Sequence, residues 1–171
     1  EANCKISESQ FLIIGAGGAC RAIAMTLADK NAKKIMIANR TFHKAKDLCD
    51  EINGRIRFCC APVELNTDVL IQYISQINVV VNTTNVGLFP NVEESPIERL
   101  LLRKGILVSD IVYNPVKTRL LREAEENGCC ILPGIGMFVN QGAEAYKIWT
   151  GIDAPVKEMR KIVEQYLMNK Q

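Results

Sequence analysis

The sequence predicts an α/β fold: a doubly wound, mainly parallel sheet of six strands followed by C-terminal helices. Three observations support it. Short apolar runs alternate with amphipathic stretches along most of the chain. The first run, Phe11-Leu12-Ile13-Ile14, is continuous, as expected for a strand buried on both faces of a sheet. It leads directly into the turn Gly15-Ala16-Gly17-Gly18-Ala19, which a helical pattern follows.

The composition excludes several classes of partner. Hydrophobic residues make up 48% of the 171 residues and charged residues 23%, which is ordinary for a globular domain. The 21 Lys and Arg against 19 Asp and Glu leave a net charge of +2, so we expect no nucleic acid or membrane partner. No apolar run approaches the roughly 18 residues of a membrane span, and no secretory signal is recognisable. We therefore expect a cytoplasmic protein.

The cysteines and the histidine argue against a metal centre. The seven cysteines are odd in number, include two adjacent pairs and form no Cys-x-x-Cys motif. We interpret them as small buried hydrophobes in a reducing compartment. His43 is the only histidine, so no multi-His site can form, and we expect no bound metal.

The pattern assigns each element a position. Strands are predicted at residues 11–14, 34–39, 56–60, 78–82, 106–110 and 129–132. Helices are predicted at residues 17–30, 41–52, 68–75, 118–127, 137–150 and 156–168. Thr41 and Thr118 are the expected N-caps, and Asn31, Asn53-Gly54 and Asn127-Gly128 the expected helix ends.

The glycine turn matches the dinucleotide-binding fingerprint in its required place between strand and helix, which makes the fold Rossmann-type. Gly15 permits the tight turn, Gly17 lets the backbone approach a diphosphate, and Cys20 occupies the third small position. The helix N-terminus directs free N–H groups and its positive dipole end at the phosphates. A turn serving only packing is the alternative, but Gly18 gives up helix propensity without an evident packing gain.

The residues after the second strand favour NADP over NAD. An NAD-selective fold places an acidic residue about 20 residues beyond the glycines, where this chain has Asn39 followed by Arg40, Thr41 and Lys44. Arg40 offers a planar fork and Lys44 a point charge to a 2′-phosphate. The alternative is a solvated helix start, but basic residues are electrostatically disfavoured at a helix N-terminus. His43 is interpreted as a surface residue.

Four further motifs resemble those of shikimate dehydrogenases. They are Asn82-Thr83-Thr84-x-Val86-Gly87, Asp110-x-x-Tyr113-x-Pro115-x-x-Thr118-x-Leu120-Leu121, Gly134-x-Gly136-Met137-x-Val139-x-Gln141 and Trp149-Thr150-Gly151. With the glycine turn and Asn39-Arg40-Thr41, their order and spacing resemble the family from about residue 11 onward. The stretch from Gln141 to Gly151 also resembles the quinate/shikimate dehydrogenase branch.

The resemblance implies reversible, NADP-linked interconversion of 3-dehydroshikimate and shikimate, a step of aromatic amino acid biosynthesis on the chorismate pathway. It implies substrate contacts by Tyr113 and Gln141, and Gln141 should share a helix face with Met137, one turn earlier. The cofactor site that the turn, the second strand and the resemblance imply together comprises Gly15, Ala16, Gly17, Gly18, Ala19, Asn39, Arg40, Thr41, Lys44, Asn82, Thr83, Thr84, Val86, Gly136 and Met137.

Structural roles stay open for several of these residues. Thr83 and Thr84 could satisfy backbone groups at a strand end. Asp110 could cap a strand rather than bind a ligand, and Tyr113 could pack beneath Pro115.

The resemblance also implies a substrate domain ahead of the glycine turn, with a lysine and an aspartate that serve proton transfer. Residues 1–10 contain no such domain and are interpreted as a linker ending a preceding helix; residues 11–171 are the NADP-binding domain with a helical extension. We therefore expect no catalytic residue in this chain, because Tyr113, with an ordinary pKa of about 10, is a poor proton donor. Trp149 is interpreted as a core residue. The apolar face of residues 156–168 would return to the missing domain or pair with a second copy as a homodimer.

Three functions are consistent with these sequence features. The leading one is the cofactor domain of an NADP-dependent shikimate dehydrogenase-like enzyme, inactive on its own. A close alternative is a quinate/shikimate dehydrogenase that uses NAD or NADP. From another class, the chain could be a non-catalytic dinucleotide-sensing module, although a sensor has no need of Asn82, Tyr113 or Gln141.

Overall fold

The predicted α/β architecture is confirmed in a computed structural model of the chain, which describes residue 2 and residues 4–168. The strands are β1 (Gln10–Ile14), β2 (Lys34–Asn39), β3 (Cys60–Glu64), β4 (Val79–Asn82), β5 (Leu107–Asp110) and β6 (Cys130–Leu132). The helices are α1 (Gly18–Asp29), α2 (Phe42–Arg55), α3 (Thr67–Leu70), α4 (Arg119–Glu126), α5 (Ile135–Thr150) and α6 (Val156–Met168). Short 3-10 segments lie at Ile6–Glu8, Ile74–Gln76 and Arg99–Leu101.

The strands form one sheet in the order β3-β2-β1-β4-β5-β6, and every pairing is parallel. The order reverses between β1 and β4. In register, Ile14 pairs with Ala38 on one side and with Asn82 on the other, and Asn82 pairs with Asp110. The carboxyl ends of the four central strands therefore meet at one edge, where open α/β sheets bind their ligands.

Residues of β1 alternate between two apolar clusters. Phe11 and Ile13 pack with α1 and α2, whereas Leu12 and Ile14 pack with α3, α4 and the β4–β5 connection. Both faces of β1 are buried, as its unbroken apolar run predicts.

Three predicted helix ends are confirmed in detail: the end of α1 and both ends of α4. Asn31 adopts a φ of 60°, and its N–H donates to the Ala28 carbonyl while the Ala32 N–H donates to that of Leu27, which together form a Schellman motif. In α4, the Thr118 hydroxyl accepts from the Leu121 N–H and caps the helix, and Gly128 at φ +75° ends it.

The predicted end of α2 and the predicted position of β3 are wrong. The helix continues through Asn53 and Gly54 to Arg55, and β3 begins at Cys60 rather than at residue 56. The Asn53 side chain does not end the helix: it accepts from the backbone N–H groups of Cys59 and Cys60 and donates to the Cys60 carbonyl. Pro62 is tolerated within β3 because this strand lies at the edge of the sheet.

Other bounds and assignments need smaller corrections. The helix predicted at residues 68–75 is a single turn, α3, capped by the Asn66 side chain, followed by a separate 3-10 turn. Residues 2, 4 and 5 are not helical, whereas Glu1 and Asn3, also part of the predicted linker helix, lie outside the described residues. Trp149 is not a core residue, since 83% of it is exposed. No helix in the described part is long and apolar enough to cross a membrane.

Candidate functional site at the carboxyl edge of the sheet

Gly15 opens the turn that follows β1, and its geometry explains why no other residue fits. Its φ is +110°, and its N–H donates to the Ala38 carbonyl at 2.8 Å. A Cβ here would lie 2.6 Å from Thr83 Oγ1. That hydroxyl donates to the Ile14 carbonyl at 2.6 Å, so Thr83 clamps the end of β4 against the turn. The first glycine is thus required by both backbone conformation and close approach.

Gly17 and Gly18 are glycines for a different reason. A Cβ at either position would meet no atom within 4 Å, and both residues are exposed. Gly17 is the N-cap of α1 and offers no side chain to the free N–H groups of the first turn. The packing-only alternative therefore has no support at these two positions. They leave open space in front of a helix N-terminus, the arrangement that receives a phosphate.

Cys20, the third small position, lies where α1 meets the sheet. It is fully buried, and burial raises the pKa of its thiol to about 12. A deprotonated, reactive thiolate is therefore disfavoured, and Cys20 acts as a small hydrophobe.

Unpaired cations stand at the start of α2. Asn39 donates its amide to the Thr41 carbonyl at 3.0 Å, which shapes the turn between β2 and α2. Thr41 occupies the N-cap, but its side chain makes no capping bond, and the first turn of α2 has no acidic residue. Within the described chain, the exposed side chains of Arg40 and Lys44 form neither a hydrogen bond nor an ion pair. Cations without counter-ions beside the positive end of a helix favour the binding of an anion.

A cavity of about 400 Å³ connects the turn to α2. Ala16, Gly17 and Gly18 form one wall, and Lys44 lies on the other. The structure thus brings the glycine turn and Lys44 together as predicted residues of one site. Arg40 and Thr41 do not line this cavity.

A buried polar network links the ends of β4 and β5. The Asn82 amide donates to Asp110 Oδ1 at 2.9 Å, and its oxygen accepts from the backbone N–H (3.0 Å) and the hydroxyl (2.7 Å) of Thr84. Asp110 Oδ1 also accepts from the Val112 N–H at 3.0 Å, and Oδ2 accepts from the Thr118 hydroxyl at 2.7 Å. Asn82 is fully buried, so it holds the loop that follows β4 rather than facing solvent.

Asp110 is the charged member of this network. Burial raises the pKa of its carboxyl group, and the three hydrogen bonds from Thr118, Val112 and Asn82 oppose that rise without cancelling it. Of the two roles left open from the sequence, the cap at the end of β5 is the one that these contacts support.

A second groove, of about 760 Å³, lies between α1 and α5 over the β4–β5 side of the sheet. Its walls include Gly136, Met137 and Gln141. Asp110, at the carboxyl end of β5, also lines it. Met137 and Gln141 therefore share a helix face as predicted. Tyr113 does not line this groove.

Tyr113 stacks on Phe138, with ring centroids 4.1 Å apart and an interplanar angle of 21°. Its hydroxyl has no hydrogen-bond partner among the described residues. This aromatic contact holds the ring, and the hydroxyl remains available.

Gly134 is a supporting residue whose role the sequence analysis missed. A Cβ at Gly134 would lie 2.5 Å from the carbonyl oxygens of both Ile111 and Val112. The close approach brings the start of α5 against the segment that follows β5. A glycine directly after Pro133, at the mouth of a strand–helix turn, is the sequence signal that could have revealed it.

No group of three or more His, Cys, Asp or Glu side chains in the described part of the chain could hold a metal ion.

Comparison with known proteins assigns the chain to a family. Residues 1–115 match the family model described as Shikimate / quinate 5-dehydrogenase. The chain belongs to this family. Residues 134–164 of this family member also match the model of the Shikimate 5'-dehydrogenase C-terminal domain.

Individual relatives support the membership of this chain in the shikimate/quinate 5-dehydrogenase family. The Shikimate dehydrogenase (NADP(+)) of Geobacillus sp. (strain WCH70) is 43% identical over 98% of the chain, which spans 59% of that relative. A solved shikimate dehydrogenase in complex with NADP⁺ superposes with a TM-score of 0.85 at 34% identity, over 95% of this chain and 56% of the other. The quinate dehydrogenase of Corynebacterium glutamicum in complex with NAD gives a TM-score of 0.83 at 30% identity, over 93% and 55%. The chain thus spans between half and two thirds of the proteins it matches.

Proposed function

We propose that this chain is the NADP(H)-binding part of an enzyme that reduces 3-dehydroshikimate to shikimate and catalyses the reverse reaction. One observation supports the cofactor assignment. The open glycine turn faces the start of α2, where the cations Arg40 and Lys44 have no partner in the described chain. Asn39 occupies the position where an NAD-selective fold has a carboxylate. A 2′-phosphate supplies the missing anion.

The remaining residues fit the same cofactor. The free N–H groups at the start of α1 suit the diphosphate, and Gly136 and Met137 provide a close backbone and a soft apolar wall for the nicotinamide. When bound, NADPH supplies a hydride. This chain binds and orients the cofactor, and Gln141, exposed in the groove, is placed to contact the substrate.

The predicted cofactor residues divide by burial. The polar groups of Asn82 and Thr83 form hydrogen bonds within the protein, which supports a positioning role for both residues. Thr84 and Val86 are partly exposed in the loop that they hold and are the candidates for direct contact.

The experiment compares the affinities for NADPH and NADH by calorimetry in the wild-type chain and in Arg40→Ala. Loss of a charge-assisted bond to the 2′-phosphate should weaken NADPH binding about 10- to 100-fold and leave NADH binding within about twofold. His43→Ala is the matched control, because His43 is exposed on the same helix end and also has no partner in the described chain. An unchanged ratio of the two affinities in Arg40→Ala would remove this residue from the site.

A second candidate function is quinate/shikimate dehydrogenation with NAD, favoured by the similarity to the C. glutamicum enzyme. Equal affinity of the wild-type chain for NADH and NADPH would support it. A non-catalytic dinucleotide sensor is the alternative from another class. Shikimate bound beside Gln141 in the presence of NADP⁺ would argue against a sensor, since Gln141 would then serve a substrate.

We further propose that the enzyme works in aromatic amino acid biosynthesis in the cytoplasm, and that a substrate domain completes the site formed by residues 11–171. The span of 59% relative to the Geobacillus protein supports a further domain in the parent protein. Ile162 on α6 is 65% exposed, which supports a face that contacts that domain or a second copy.

A further inference from the structure

A cluster of three charged side chains joins α1 to α2. Arg21, in the first turn of α1, donates through both terminal nitrogens to the two carboxylate oxygens of Glu51 on α2. Arg55 contacts the same carboxylate at 2.9 Å from within α2. Only 19% of the Glu51 side chain is exposed, so the shared carboxylate lies largely shielded between the helices.

The cluster lies beside the cavity that connects the glycine turn to α2. Arg21 and Glu51 line the same 400 Å³ cavity as Gly17, Gly18 and Lys44. Glu51 follows Lys44 by seven residues, two turns along one face of α2, while the Arg21 N–H donates to the Gly17 carbonyl at 3.0 Å. The ion pair therefore joins the face of α2 that carries Lys44 to the first turn behind the phosphate loop.

The Arg21–Glu51 pair constrains movements of α1 relative to α2 that apolar packing alone would permit. The interface of α1 and α2 is otherwise made of small and aliphatic side chains in one core cluster, including Ala24, Leu48 and Ile52. Apolar contacts are non-directional and permit small shifts of one helix along the other. A bidentate guanidinium–carboxylate pair fixes both distance and orientation.

We infer that Arg21 and Glu51 are positioning residues for cofactor selectivity: their pair sets the distance between the diphosphate site at α1 and the 2′-phosphate site at α2. This inference rests on the proposed NADP(H) binding. NADPH must contact both helix ends at once, whereas NADH lacks the group that reaches the second. Loosening the pair therefore weakens NADPH binding more than NADH binding.

The test uses Arg21→Lys, which keeps the charge and removes the planar fork. In calorimetric titrations of the 171-residue chain, we expect its NADPH-over-NADH preference to fall by about three- to tenfold, with NADH affinity changed less than about twofold. Arg55→Lys is the matched control: the same residue type contacts the same carboxylate but does not bridge the helices, so its preference should equal that of the wild type.

A second pair of variants separates positioning from net charge. The variants are Arg21→Met and Glu51→Gln. If charge alone matters, Glu51→Gln strengthens NADPH binding more than NADH binding, because NADPH carries the additional 2′-phosphate charge, and the resulting rise in preference overturns the inference. If the bridge positions α2, both variants lower the preference. Glu51→Gln also decides the matter should the Arg21 variants fail to fold. A wild-type chain without NADPH preference would instead refute the proposed cofactor, so the two failures are distinguishable.

Discussion

Single glycines in the turn after β1 have opposite structural requirements. Gly15 has a positive φ and lies against Thr83, whereas Gly17 has an extended backbone (φ −92°, ψ −169°) that any residue adopts and open space around it. The fold requires the first glycine, whereas the second is a residue of the proposed cofactor site. Substitution by alanine should therefore separate stability from binding within three residues of sequence.

We predict that Gly15→Ala lowers the free energy of unfolding by about 3 kcal/mol, because the strained backbone and the contact with Thr83 Oγ1 act together. Gly17→Ala should leave stability within about 0.5 kcal/mol of the wild type but weaken NADPH binding about tenfold or more, since its methyl group occupies the approach to the diphosphate. Urea denaturation and NADPH titration of both variants check this. Full NADPH affinity in a well-folded Gly17→Ala variant would contradict it.

The Asp110 carboxyl group predicts a pH dependence. Its pKa in the folded protein is raised above the ordinary 3.8 by burial. Between 3.8 and that raised value, the folded state binds more protons than the unfolded state, so this group's contribution to stability decreases as pH rises and stays at its lower level above the folded pKa.

We therefore expect the unfolding free energy of the wild type, measured relative to Asp110→Asn, to decrease as pH rises from about 4 towards neutrality. Asparagine has no titration in this range, so the difference isolates the carboxyl group. Chemical denaturation of both proteins across the pH series measures it. A difference that increases with pH would show that the hydrogen bonds from Asn82, Val112 and Thr118 outweigh burial.

At the scale of elements, α2 and α4 both have a threonine as N-cap, and only Thr118 uses its hydroxyl as a cap. Thr118 accepts from Leu121 and donates to Asp110, and it is fully buried. Thr41 occupies the equivalent position of α2 without a capping bond. The N-terminal N–H groups of α2 are thus left to water or to a ligand.

Alanine substitution should reveal this difference. We expect Thr118→Ala to cost about 2–3 kcal/mol of stability, from the lost cap and from a buried carboxylate oxygen left without a donor. Thr41→Ala should cost less than about 0.5 kcal/mol. Thermal and urea unfolding of the two variants measure both values, and equal losses would show that Thr41 caps α2 after all.

Elements whose signals are local could be predicted from the sequence, whereas those set by distant contacts could not. The apolar run of β1 and the turn residues Asn31 and Gly128 carry their own geometry. The start of β3 depends on Asn53, whose amide contacts the backbone of Cys59 and Cys60 instead of ending α2. The sequence does not reveal these hydrogen bonds of Asn53, because Asn-Gly is also a common helix end.

The same distinction holds within the candidate site. Arg40 and Lys44 stand at a predictable position after β2, so their demand for an anion is visible in sequence. Asn82 and Asp110 lie 28 residues apart, and their hydrogen bond requires the register of β4 against β5. The Arg21–Glu51 pair spans 30 residues and two helices, so only the packed structure reveals it.

At the scale of the whole molecule, the strand order determines which residues can meet. Because β1 lies between β2 and β4, the turn at Gly15 is flanked by the residues that follow both neighbours, Arg40 on one side and Thr83 on the other. The second groove runs over the β4–β5 side of the sheet, and its lining at this edge includes Asp110 and Met137. An extended ligand that crosses the edge would contact the cationic end, the glycine turn and Met137 in that order.

Two titratable side chains near this edge are poorly placed to deliver a proton to a reduced carbonyl. Asp110 is buried and already accepts three hydrogen bonds, and Tyr113 is stacked on Phe138 outside the groove. An alkoxide formed by hydride transfer needs such a donor. Binding and turnover should therefore separate in this chain.

We predict that the purified 171-residue chain binds NADPH, seen as a shift in its thermal unfolding, yet oxidises NADPH in the presence of 3-dehydroshikimate at no more than the background rate. The Geobacillus relative, of which this chain spans 59%, is the positive control under the same conditions. If the chain alone reached the rate of that control, a proton donor would have to lie within these residues, and Tyr113→Phe would be the first variant to assay. If it neither bound nor oxidised NADPH, the open turn at Gly17 and the unpaired Arg40 and Lys44 would need another ligand.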